Sequence, residues 1–123
     1  MSNSKRMQRL CEAYKKELSQ IILYEMRDPR LHGAYITTVV FTPDLRLAKI
    51  YFNASGGRVR EPEILEGFES SKGFLRRELS DRVEMKFSPD LKFYFDESSE
   101  EKDRIDRLFD QLERQKNEES EKH

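Results

Sequence analysis

Between Lys5 and Arg27 the apolar residues Met7, Leu10, Cys11, Tyr14, Leu18, Ile21 and Ile22 recur at the three- and four-residue spacing of one helical face. The spacing predicts a helix capped by a side-chain oxygen of Asn3 or Ser4. It should stop before Asp28-Pro29, because the residue preceding a proline disfavours helical backbone. The period then changes. Ala34 to Phe41 is β-branched and aromatic, which reads as a strand. Leu47 to Ala54 alternates, with Ala48, Ile50, Phe52 and Ala54 on one face and Lys49, Tyr51 and Asn53 on the other. Thr42-Pro43-Asp44 between them is a turn, and so short a connection makes an antiparallel hairpin. Ser55-Gly56-Gly57 breaks the alternation and opens a loop.

Pro62 suits a first helical turn, and Ile64, Leu65, Phe68, Leu75 and Leu79 follow at helical intervals. Gly73 falls near the middle of that run, either as a tolerated glycine or as a kink that splits one helix into two. In the third strand Val83, Met85, Phe87, Leu91, Phe93 and Phe95 are all odd-numbered, while Glu84, Lys86, Ser88, Asp90 and Lys92 fill the even positions. Pro89 interrupts the odd series, so a bulge or an edge position is expected there. Ser98 and Glu101 fit a capping box ahead of a short amphipathic helix carrying Ile105, Leu108, Phe109 and Leu112. Residues 114–123 read as a polar, disordered tail behind a single domain spanning 1–113. The order α-β-β-α-(kink)-α-β with a terminal helix predicts an α+β fold with helices on one side of a small sheet.

Charge changes this picture more than composition does. Of 123 residues, 36% are apolar and 38% charged, so the core must be economical. Residues 1–95 hold 17 Lys and Arg against 13 Asp and Glu, while residues 96–123 hold 6 against 11. A basic body with an acidic end suits a nucleic-acid binder as well as it suits a solvated domain with a charged helical tail. No apolar run approaches the ~20 residues of a membrane span, and none follows the basic start as a secretory signal would require. A single cysteine, Cys11, fits a reducing cytoplasm. Catalytic chemistry finds little support: the histidines are His32, in a polar loop, and the terminal His123. Neither a zinc ligand set nor a glycine-rich nucleotide loop is present.

Four segments together resemble the ribosome-binding factor A family of bacterial small-subunit assembly factors. These are Glu25-Met26-Arg27-Asp28-Pro29-Arg30, Thr42-Pro43-Asp44-Leu45-Arg46-Leu47-Ala48-Lys49-Ile50-Tyr51, Ser70-Ser71-Lys72-Gly73-Phe74-Leu75-Arg76 and Phe87-Ser88-Pro89-Asp90-Leu91-Lys92-Phe93-Tyr94-Phe95-Asp96. They occur in the family's order, and the resemblance as a whole covers about residues 5–112. The resemblance implies a type II KH-like domain whose usual Gly-x-x-Gly loop is replaced by an Ala-x-Gly kink, here Ser71-Lys72-Gly73. It further implies a cytoplasmic, non-enzymatic protein without cofactor that binds the immature 30S subunit and its 16S rRNA, assists late maturation and matters most in the cold. We expect a monomer.

Phosphate binding needs several cations on one face, because a lone exposed charge is screened by salt. Lys72 and Arg76 share a helical face with Arg77 beside it; the resemblance to KH-like domains, which meet nucleic acid at the helix-kink-helix region, makes this group the first candidate for RNA contact. Lys86 and Lys92 on the non-core side of the third strand are further candidates. So are Lys5, Arg6 and Arg9 at the start of the first helix, Arg27 and Arg30 at its end, and Arg46 and Lys49 on the hairpin. The alternative is a protein-interaction module, engaging a partner through the terminal helix or a strand edge without direct RNA contact.

Overall fold

A computed structural model describes residues 2–97, 107, 108 and 111–115, with side chains from residue 5 onward. Helix α1 (Ser2–Tyr24) buries Tyr14, Leu18, Ile21 and Ile22 and half-buries Met7, Leu10 and Cys11, so the apolar stripe is its core face. Its backbone is already helical at Ser2, which places Asn3 and Ser4 inside the first turn, where the sequence suggested a cap. It ends at Tyr24, with Glu25 N–H closing the last turn on Ile21 O at 2.9 Å. Asp28 then starts a separate 3-10 turn (Pro29–Leu31), its carboxylate accepting the Arg30 N–H at 2.9 Å.

Strands β1 (Ala34–Phe41) and β2 (Leu47–Ala54) form the expected antiparallel hairpin, Phe41 opposite Ala48 and Ala34 opposite Ala54. A bulge at Thr37 interrupts the ladder between Ile36 and Thr38. Leu45, at the tip, takes a left-handed φ of 61°, fixed by its N–H on Thr42 O at 2.9 Å. A second 3-10 turn (Gly57–Arg60) leads into α2 (Glu61–Ser70), and α3 (Lys72–Arg82) follows. The pair is the crossover that brings β3 (Asp90–Phe95) parallel to β2, Leu47 opposite Asp90 and Phe52 opposite Phe95. Strand order is β1-β2-β3 with the helices on one face, the type II KH-like arrangement. Between the layers Phe68 stacks on Phe93 (centroids 4.4 Å apart, planes at 8°) and meets Phe52 edge-on at 5.3 Å.

Strand β3 is shorter than its alternation suggests. Leu47 opens β2 opposite Asp90, and the chain before Leu47 turns away, so residues 83–89 have no strand to pair with. Pro89 also lacks the N–H that a ladder needs. Val83 stays buried, but Phe87, an apparent core residue, is 55% exposed, and Lys86 sits in a loop instead of on the strand.

The helical run is broken, but not at its glycine. Ser71 (φ −102°, ψ 2°) separates α2 from α3, whereas Gly73 lies inside α3 without a positive φ. The hydroxyl of Ser70 bonds back to Glu66 O at 2.8 Å, a competing acceptor contact of the kind that bends helices. A Cβ at Gly73 would meet nothing within 4 Å. Gly73→Ala should therefore stabilise the domain, by up to about 1 kcal/mol, through helix propensity alone. Urea unfolding measures it; a destabilised protein would mean that the glycine is conformationally required.

Beyond Glu97, residues 107, 108 and 111–115 are helical, with Leu108 and Leu112 exposed. Arg114 and Gln115, assigned above to the tail, belong to that helical stretch. The Ser98/Glu101 capping box, Ile105, Phe109 and residues 116–123 lie outside the described residues. No helix among the described residues is long and apolar enough to cross a membrane.

Candidate nucleic-acid interface

The junction of α2 and α3 is fastened from below by the Asp28-Pro29-Arg30 segment. Gly67 lets α2 lie against it: a Cβ there would stand 2.9 Å from Leu31 Cδ2. Arg30 grips Asp28 in a fork, Nε to Oδ1 at 3.0 Å and Nη2 to Oδ2 at 2.6 Å. The same Nη2 donates to Ser70 Oγ at 2.8 Å, one residue before the break. These hydrogen bonds from Arg30 hold the Asp28 carboxyl below the usual aspartate range. Arg60 completes the base by donating to the carbonyls of Arg30 (3.2 Å) and Ser55 (3.1 Å). Arg30 is thus engaged in holding the fold, and the motif's rigidity positions the break.

The three cations singled out at the break separate by role. Arg77 is exposed and makes no salt bridge among the described residues. Lys72 is half-buried and pairs with Glu69 at 3.1 Å across one helical turn, a contact worth little near water. Arg76 turns inward. Its Nε donates to Pro89 O and its Nη2 to Ser88 O, both at 3.0 Å, so it ties the loop before β3 to α3. Beside Lys72, Gly73 leaves open space where another residue would project a side chain.

A second set of candidates meets at the hairpin tip, from three distant parts of the chain. Arg6, on α1, borders a shallow groove with Met7, Leu10, Pro43 and Leu45. An adjoining groove runs from Leu10 and Leu45 to Met85, Lys86 and Phe87. The Phe87 ring carries Arg46 and Lys86 on it, their cationic centres 5.4 and 5.5 Å from its centroid. Phe87 is a surface aromatic that the alternation concealed. Its signal is Pro89, which lacks the N–H a ladder needs, so that pairing starts only beyond it at Asp90. Lys5, Arg9 and Arg27 are exposed on or just beyond α1. Lys49 and Lys92 lie on the sheet face turned away from the helices.

Reading the sequence did not single out Arg82, which binds Glu25, Glu78 (3.4 Å) and Glu17 (3.8 Å) and so joins α3 to α1. Among the described residues no group of acidic, histidine and cysteine side chains could hold a metal ion.

The family model for ribosome-binding factor A matches residues 6–109, which take in most of α1, the sheet, the break and both cationic clusters. The chain belongs to the ribosome-binding factor A family. A ribosome-binding factor A from Azoarcus sp. (strain BH72) is 42% identical over 105 residues, 85% of this chain and 83% of the relative. The crystal structure of ribosome-binding factor A from Thermus thermophilus superposes with a TM-score of 0.66 at 25% identity, covering 72% of this chain and 93% of that one. A homology model of the Thermus thermophilus factor, fitted into a cryo-EM map of its 30S complex, aligns at a TM-score of 0.55 and 26% identity, over 65% of this chain and 84% of that one.

Proposed function

We propose that this protein is a non-enzymatic, cytoplasmic assembly factor that binds the immature 30S subunit through its 16S rRNA, with the start of α3 as the principal contact. The observation that carries the reading is the alignment with the Thermus factor placed in a 30S complex, over most of that factor's length. Lys72, Gly73 and Arg77 support the choice of surface. They combine two cations, an open backbone approach and the positive end of a helix, three features that favour phosphate.

The test is binding of purified immature 30S subunits by Lys72→Glu/Arg77→Glu across a salt series. Arg76 is left intact, because reversing it would break two carbonyl contacts that hold the fold. Affinity should fall, and the plot of log affinity against log salt should flatten by somewhat under one unit per lost phosphate contact. The reversal Arg114→Glu/Lys116→Glu/Lys122→Glu should cost much less. Wild-type affinity and slope in the α3 variant would move the contact to the hairpin tip. A binding constant insensitive to salt would favour a protein partner in place of RNA.

A further inference from the structure

Among the described residues the helices cover one face of the sheet and leave the other open. On that open face the parallel register sets Lys49 of β2 opposite Lys92 of β3, and Tyr51 opposite Tyr94. The two rings stack, centroids 5.4 Å apart with planes at 27°. Tyr94 is 37% exposed, and Val40 beside them on β1 is 44% exposed. Like charges placed opposite one another in a sheet repel. Among the described residues no carboxylate lies within salt-bridge distance of either lysine. The nearest acids along the strand accept other hydrogen bonds: Asp90 Oδ1 accepts the Leu91 N–H at 2.9 Å, and Asp96 accepts the Thr37 hydroxyl at 2.6 Å.

We propose that this face is a platform for single-stranded RNA, distinct from the α3 contact. Unpaired bases stack on the Tyr94–Tyr51 pair while their phosphates rest on Lys49 and Lys92. Lysines and tyrosines alternate at about 6.6 Å along each strand, which gives an anionic, stacking polymer both of its requirements at once. An acidic peptide would use the lysines and leave the aromatic pair without a role. Because the face lies on the opposite side of the sheet from α2 and α3, one molecule can hold a structured RNA element and an unpaired strand together. The platform stands on its own geometry and does not require the α3 contact.

The intact protein is titrated with a 5′-labelled ten-nucleotide oligoadenylate, read by anisotropy and by its own tyrosine fluorescence. The chain has five tyrosines and no tryptophan, so quenching reports stacking on tyrosine. Tyr94→Ala should weaken binding by about fivefold or more and remove most of the quenching, while Tyr94→Phe retains the affinity. Lys49→Gln/Lys92→Gln should flatten the salt dependence by about 1.4 units on the log–log plot. Lys72→Glu/Arg77→Glu should leave oligonucleotide binding within about twofold at physiological salt, where distant charges are screened. The proposal is overturned if Tyr94→Ala and the lysine pair both bind as wild type does. It is equally overturned if the α3 variant alone abolishes binding, or if polyglutamate of equal length binds with the same dependence on Tyr94. Absence of any oligonucleotide binding in wild type also overturns it. Lys92→Glu, fully on the surface, serves as a second variant that leaves the core untouched.

Discussion

Phe68→Ala should destabilise the domain by about 3–5 kcal/mol, among the largest losses available to a single substitution here. The Phe68 ring is wholly buried and fills the space between α2 and the sheet, stacked on Phe93 and edge-on to Phe52. Truncation removes the transfer energy of the ring and leaves a cavity walled by two other aromatics attached to strands. Those rings are held by backbone ladders on β2 and β3, so they can close only part of the gap. Aromatic pairing beyond simple burial is lost as well. Urea unfolding should give a lower midpoint with an unchanged slope. A loss below about 1 kcal/mol would mean that the layers collapse freely, and that the aromatic cluster is not the rigid centre of the fold.

Asn53→Leu should cost about 2–4 kcal/mol even though leucine keeps the branched shape of the side chain. By alternation Asn53 belongs to the open face, yet it is 1% exposed. Its Nδ2 donates to Asp96 O and its Oδ1 accepts the Ala54 N–H, both at 2.7 Å. With Thr37 bound to the Asp96 carboxylate, it fastens the end of β3 to the hairpin. Leucine would leave the Ala54 N–H and the Asp96 carbonyl without their partner, and the cost of orphaned groups exceeds the value of the bonds lost. Hydrogen exchange should show the Asp96 amide, which bonds Phe52 O at 2.8 Å, losing protection first. Unaltered exchange there would show that the strand end is held by packing alone.

The elements legible in the sequence were those whose burial follows a single period. The stripe Tyr14, Leu18, Ile21 and the alternation Ala48, Ile50, Phe52 each describe one face against one core, and both stand as read. Periodicity failed where structure depends on a partner. Residues 83–87 alternate like a strand, but pairing is decided by where β2 begins, which no local pattern encodes. Of the expected kink Ser71-Lys72-Gly73 only Ser71 leaves the helix, beside a hydroxyl contact and a fold-spanning clamp, while Gly73 stays helical and its conformational freedom goes unused. The candidate site was legible as a list of cations, not as an arrangement. Arg30, Arg76 and Arg77 look alike in sequence, yet the first two hold carboxylates and carbonyls inside the fold and only the third stands exposed. Phe87 on its cations and the Tyr51–Tyr94 pair came from folding distant segments together.

Among the described residues the sheet has two free edges, and both are poor templates for a strand from another molecule. On β1 the Thr37 bulge interrupts the repeat of outward N–H and C=O groups that a guest strand would need. On β3 the edge is six residues long, preceded by a proline, with Lys92 near its centre. Short, bulged and charged edges are the means by which small sheets resist edge-to-edge growth into aggregates. In this chain the Thr37 bulge and the charge of Lys92 put that protection on the two strands that a foreign strand would meet first.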